Sequence, residues 1–282
     1  DRPMDDLVKK YGKGRQDSQL ITIDGKVMAV AFMANTQHLY YREDVLKELG
    51  IPVPKTYEEV VAASEKIRAS GKMQHPYAAA YKAGWNLAEE FVNMFIGHGG
   101  EFFKAGTAEP NINNAKGVAT LNMLKKLASL SNPDYLTHDS EAIKVEWESG
   151  KVALMTLWAS RSGTLLDDEG DAKITAATKL TGPATVGGGN IPAATLWWDG
   201  FTLAKNRSDS DAEATFIALA HAASNKKMVA DAADQAVWLV EGFVPGPKSI
   251  GVIEAVKMGA KPYPMLPQMG LMHGALGSEI VE

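Results

Sequence analysis

Four of the six tryptophans, Trp85, Trp158, Trp197 and Trp198, fall at the ends of strand-like runs or where such a run gives way to a helix. In open α/β sheets, ligands bind beyond the carboxyl ends of strands. An indole face there offers flat apolar area beside one N–H donor, which matches the C–H face of a sugar ring. Core filling is the competing role for any tryptophan. Trp147, within Val145-Glu146-Trp147-Glu148, and Trp238 fit that role better. Arg161 follows Trp158 by one turn near a helix start. There a guanidinium could pair with hydroxyls or a carboxylate of a ligand, or make a surface salt bridge.

Other chemistry is poorly supported. Gly187-Gly188-Gly189 lacks both the Gly-Lys-Ser/Thr ending of a nucleotide loop and the Gly-x-Gly-x-x-Gly spacing, so it reads as a flexible loop. The six histidines, at 38, 75, 98, 138, 221 and 273, include no pair spaced i, i+4 as a helical metal site would need. His138-Asp139 reads as a solvated loop and His221 as packing or surface. No Gly-x-Ser-x-Gly elbow occurs. The carboxylate pairs Glu58-Glu59 and Asp167-Asp168 sit beside or within helices and read as solvated faces. No cofactor motif is present.

The elements that must position the tryptophans are legible in part. Asp24-Gly25 between the apolar runs 20–23 and 26–32 predicts a two-residue hairpin. Asn35-Thr36-Gln37-His38 interrupts apolar sequence, and a short helix is expected over 43–49. Thr56 with Glu59 three residues on is a capping box, opening a helix that stops at Gly71. Further helices are expected over 85–96, from Asn113 or Asn114 to Leu130, from a Ser140 cap to Gly150, over 159–166, from Ser208 or Ser210 to Ser224, over 226–236, over 249–258 and near the carboxyl end. Strands are expected over 77–80, 151–157, 174–177 and 195–203, with a loop over 182–194. Strands alternating with helices make an α/β architecture.

Composition narrows the function class. The 282 residues exceed one ordinary core, and 45% hydrophobic with 22% charged residues is the balance of a globular chain. A net charge of −5 argues against nucleic-acid binding. The absence of cysteine excludes disulfides, thiolate catalysis and zinc–cysteine sites. The opening Asp-Arg-Pro-Met-Asp-Asp has no signal-peptide character, so an exported form would be mature or a fragment.

The run Tyr40-Tyr41-Arg42-Glu43-Asp44-Val45-Leu46-Lys47-Glu48-Leu49-Gly50-Ile51-Pro52-Val53-Pro54-Lys55-Thr56-Tyr57-Glu58-Glu59-Val60 resembles a hallmark of family 1 extracellular solute-binding proteins. These are the maltose-binding-protein-like subunits that deliver sugars to ABC importers. Gly99-Gly100, the Glu148–Met155 segment, Pro183 with the glycine loop, Leu203–Ser208 and Pro264–Met269 resemble further family segments in the family's order. The early strand–helix units of lobe I have no counterpart, and the last helix looks short. The chain is therefore expected to be an internal fragment.

The resemblance implies a periplasmic-binding-protein-like two-lobe α/β fold of the class II type, with lobe II complete and lobe I partial. Residues 1–35 and 199–250 would be lobe I remnants, 36–198 lobe II, and 251–282 a crossing segment with a cleft-facing helix. The site between the lobes would take Asn35, Gln37, Trp197, Trp198 and Asp199 from the crossings. It would take Trp85, Trp158 and Arg161 from lobe II, with the family's late cleft aromatic falling at Met272 or His273. The implied function is non-catalytic capture of a carbohydrate, without cofactor or metal, by a monomer that presents it to membrane permease subunits. The location would be periplasmic, or extracellular and membrane-anchored in a Gram-positive host. The alternative is an α/β carbohydrate-active enzyme using the same cleft.

Overall fold

The computed structural model describes residues 1–12, 19–167, 170–224, 229–230, 232–233 and 236–281. The expected helix over 226–236 lies largely outside the described residues, as does Asp168. In chain order the first elements are α1 (Asp5–Tyr11), β1 (Leu20–Ile23), β2 (Lys26–Asn35), β3 (Gln37–Arg42), α2 (Glu43–Glu48) and α3 (Tyr57–Ala69). There follow β4 (Tyr77–Ala78), α4 (Trp85–Gly97), α5 (Ala115–Ser129), α6 (Ser140–Glu148), β5 (Leu154–Trp158) and α7 (Ser162–Leu165). The remainder are α8 (Ala172–Ala177), β6 (Thr178–Thr181), β7 (Thr195–Phe201), α9 (Asp209–Ser224), β8 (Val237–Trp238), α10 (Ile250–Lys257), β9 (Lys261–Pro262) and α11 (Met269–Glu279).

The chain divides into two compact units. The first comprises Asp1–Asn35 and Trp197–Ser249, and the second Thr36–Leu196 and Ile250–Glu282. In the first unit, β2 pairs antiparallel with β1 and β8 and, from Val30 to Asn35, with residues Phe201 to Trp197 of β7. The β1–β2 turn places Asp24 and Gly25 at φ 50° and 74°, the left-handed geometry that an Asp-Gly hairpin accepts. Met4, Val30, Phe201, Leu203, Ala212, Phe216 and Ala220 make its small core. Tyr11 and Lys10 of α1 both bond Glu213 of α9, at 2.5 and 2.6 Å.

The second unit is a sheet in the order β4-β5-β3-β6, in which β3 runs antiparallel to β5 and β6 and β4 parallel to β5. Side chains alternate across it, as the two-residue strand period requires. Leu39 and Leu154 enter a large core with α3, α4, α5 and α11 on one face. Tyr40, Met155 and Leu157 enter a second core with Ile143, Trp147 and Leu165 on the other. Helices on both faces make this an α/β layered unit. Trp147 is fully buried and donates its Nε1–H to Thr178 Oγ1 at 2.9 Å, so it is a core residue, as its placement predicts.

Local signals explain most boundaries, and two expectations need correction. The Thr56 hydroxyl accepts from Glu59 N at 3.1 Å while the Glu59 carboxylate accepts from Thr56 N at 3.3 Å, closing the capping box at the start of α3. Replacing Thr56 by Ala should cost about 1 kcal/mol. The check is urea unfolding, in which the midpoint should fall while the m-value stays unchanged. The cap of α6 is Asp139, whose carboxylate accepts from Glu141 N and Ala142 N, and not Ser140. Residues 174–177 are helical and not a strand. Asp171 caps α8 through Lys173 N and Ile174 N, and this local bonding outweighs the β-branched Ile174 and Thr175, so the strand begins only at Thr178.

Candidate functional site

In the second unit, Trp85 opens α4 and Trp158 closes β5. Gly84, the residue before α4, has φ 98°, a conformation only glycine adopts without strain. Its N–H donates to the carbonyl of Gly277 on α11 at 2.9 Å. The α11 helix can come this close because Gly277 has no side chain there. A Cβ at Gly277 would stand 2.3 Å from the Gly84 carbonyl oxygen. Trp158 is held from behind by Tyr40, whose buried hydroxyl donates to the Trp158 carbonyl at 3.1 Å and lies 2.6 Å from Ser162 Oγ.

These supports converge on an aromatic cluster. The Trp85 and Trp158 ring centroids are 6.2 Å apart with planes 31° from parallel. His273 of α11 lies 5.0 Å from the Trp85 ring at 32°, and Tyr263 lies 5.7 Å from His273. Trp85 remains half exposed although every α4 residue from Leu87 onward is buried. The result is an aromatic shelf whose successive rings are tilted by 31°, 32° and 56° at one edge of a packed core.

Hydrogen bonds define the chemistry of His273. Its Nε2 lies 3.0 Å from the Trp85 carbonyl oxygen, an acceptor only, so Nε2 carries the proton. Nδ1 then accepts from the Tyr263 hydroxyl at 2.9 Å. Burial, partly offset by the Trp85 carbonyl, lowers the His273 pKa and keeps the ring neutral. Burial above all pushes the Tyr263 hydroxyl up to about 12. With both ring nitrogens of His273 engaged, it orients the shelf and offers no free base for proton transfer.

The other expected site residues are distributed as follows. Arg161 pairs with Glu141, so its charge is already matched by a carboxylate of α6. Gln37 stands opposite Trp158 in the β3–β5 register but is only 3% exposed, and its Oε1 accepts from Asn93 Nδ2 at 3.3 Å. It is therefore buried beside Trp158 and not exposed. Asn35, Trp197, Trp198 and Asp199 belong to the first unit, where Asn35 pairs with Trp197, Ala34 with Trp198 and Met33 with Asp199 across β2 and β7. Trp197 and Trp198 are half-buried and Asp199 is exposed. Tyr263 was not singled out by the sequence, though an aromatic set between Pro262 and Pro264 is a local signal for a rigidly presented ring. Among the described residues no group of three or more His, Asp and Glu could hold a metal ion, and no helix is long and apolar enough to cross a membrane.

Comparison with known proteins gives concordant results. Residues 2–226 match the family described as bacterial extracellular solute-binding protein. A probable ABC transporter-binding protein of Deinococcus radiodurans is 29% identical over 193 residues, covering 66% of this chain and 44% of that protein. A multiple sugar-binding protein of Streptococcus mutans is 40% identical over 65 residues, covering 23% of this chain and 15% of that protein. The chain thus spans less than half the length of these curated relatives. The maltose-bound structure of T. maritima MalE3 superposes with a TM-score of 0.85 at 19% identity, over 99% of this chain and 74% of that one. That likeness shows the α/β periplasmic-binding-protein-like fold. With its match covering most of the sequence, the chain belongs to the family of bacterial extracellular solute-binding proteins.

Proposed function

We propose that the chain is the non-catalytic, substrate-binding part of a bacterial ABC importer, capturing a neutral sugar or sugar-like molecule outside the cytoplasmic membrane for its permease subunits. The observation that carries this reading is the half-exposed Trp85 ring, set beside Trp158 and braced by His273. Ring faces so arranged favour the C–H surfaces of a pyranose, while the neutral His273 and the protonated Tyr263 supply no general base. The names of the S. mutans sugar-binding relative and of the maltose-bound T. maritima protein support the same ligand class. The pairing of Arg161 with Glu141 favours a neutral ligand over a sugar acid, because the guanidinium already has a carboxylate partner. Asn35, Trp197, Trp198 and Asp199 stay in the reading as contact candidates that the family resemblance supplies, and residues 36–198 as lobe II. Gln37 enters it as a residue that positions the shelf from behind.

The test is a thermal-shift and product assay with maltose, a monosaccharide, a sugar alcohol and a sugar acid. A captured ligand at about 100 times its Kd should stabilise the protein by about 2.7 kcal/mol and be recovered unchanged. Chemical conversion of any of the four would favour the carbohydrate-active enzyme instead.

A further inference from the structure

Helix α4 is buried along nearly its whole length, yet Glu89, Glu90 and Asn93 are among its buried side chains. Polar groups persist in such a place only when they are bonded, and here the bonds reach strands remote in sequence. Thr195 Oγ1 lies 2.7 Å from Glu89 Oε1 and 2.7 Å from Asn93 Oδ1. Asn93 Nδ2 donates to Gln37 Oε1 at 3.3 Å, and Thr36 Oγ1 donates to the Thr195 carbonyl at 2.7 Å. Thr36 and Gln37 are the first residues of the second unit after the chain enters it, and Thr195 and Leu196 the last before it leaves. One stretch of α4, a turn beyond Trp85, therefore grips the first two of the three chain passages between the units.

Proton counting constrains the network further. A hydroxyl brings one proton, and Thr195 Oγ1 faces two acceptor oxygens. The count closes when Glu89 donates its own proton to Thr195, Thr195 donates to Asn93 Oδ1, and the Asn93 amide goes on to Gln37. Glu90, beside it, has no hydrogen-bond partner at Oε1. Burial, opposed by a hydrogen bond from Gln37 and reinforced by Glu89, raises its pKa to about 8. The titratable groups whose charges bear on this pair are Tyr57 of α3, Tyr77 of β4, Tyr81 just after it, and Tyr263 following β9. All four are phenols kept protonated by burial, and none is a cation that could take the place of the missing proton.

We infer that Gln37, Glu89, Glu90, Asn93 and Thr195 form a positioning lock that fixes the Trp85 end of α4 to the first two chain passages, and that the lock holds only while the carboxyl pair retains a proton. These residues set where the shelf stands and touch no ligand. Because the folded-state pKa of Glu90 lies above its ordinary value, the contribution of the lock is complete at low pH and is lost as pH rises through about 8.

The test is hydrogen exchange of the intact protein, read as protection factors over residues 36–38, 85–97 and 193–196 at pH 6 and pH 9, in the wild type and in Glu90→Gln, Thr195→Ser and Thr195→Val. Protection in the wild type should fall about 100-fold between the two, because the opened carboxyl has already lost its proton at pH 6 while the folded one keeps it up to about 8, so each of the two pH units from 6 to 8 costs about tenfold. Glu90→Gln should stay level, Thr195→Ser should track the wild type, and Thr195→Val should already be low at pH 6. The same pH response in Glu90→Gln as in the wild type, or Thr195→Val matching Thr195→Ser, overturns the lock. A second arm rests on the shelf being the ligand site: Thr195→Val should weaken maltose binding about tenfold and Thr195→Ser should restore it. Failure of every variant and the wild type to bind maltose counts against the ligand reading alone, since the exchange arm decides the lock without ligand.

Discussion

Replacing Trp85 by Ala should abolish most ligand affinity while leaving the protein folded. Half of the indole is exposed, and the buried face of α4 that anchors the helix begins only at Leu87, so the core loses little when the ring is removed. The ligand surface loses its central plane. An aromatic at the centre of a binding site is typically worth about 2–4 kcal/mol on truncation, which is about 30-fold to 1,000-fold in Kd. Trp158→Ala should act in the same direction, because its ring centroid lies 6.2 Å from that of Trp85. Trp147→Ala is the control, since that ring is fully buried in the second core and its loss should cost about 3–5 kcal/mol of stability. Calorimetric titration with the sugar that binds, paired with urea unfolding, separates the two outcomes. Trp85→Ala with wild-type affinity would remove the shelf from the site.

Gly277→Ala should be strongly damaging to the second unit. The added Cβ would meet the Gly84 carbonyl oxygen at 2.3 Å and its carbonyl carbon at 2.6 Å, and both are backbone atoms that no rotamer change can move aside. Relief requires α11 to shift away from α4, which breaks the 2.9 Å bond from Gly84 N to Gly277 O and draws His273 off the Trp85 ring. Overpacking of this kind typically costs about 1–3 kcal/mol when side chains can adjust, and more is expected where they cannot. Gly274→Ala on the same helix is the matched comparison, because its Cβ meets nothing within 4 Å. Alanine there should be stabilising by about 0.5–1 kcal/mol through helix propensity. Unfolding midpoints should move in opposite directions for the two variants, and only Gly277→Ala should lose ligand affinity. Equal effects would mean that the close helix contact does not set the shelf.

The parts of this structure that depend on near neighbours were legible in the sequence. The Asp24-Gly25 hairpin and the Thr56/Glu59 capping box both rest on residues within a few positions of one another. The α/β class followed from the order of such elements. What was missed depends on distant partners. The sequence did not single out Glu89 and Glu90, which are buried on α4, and the partner of Glu89 is Thr195, 106 positions away. Tyr263 gains its role only when α11 brings His273 to it. Arg161 left two roles open in the sequence, and the structure shows a carboxylate, Glu141, already paired with it.

The most direct measurement is a crystal structure of the protein soaked with the best binder from the sugar panel. A ring of that ligand should lie across the Trp85 and Trp158 faces, chemically unaltered, with His273 unmoved behind it. A ligand seated elsewhere with the two indoles bare, or a cleaved product in its place, would contradict the account.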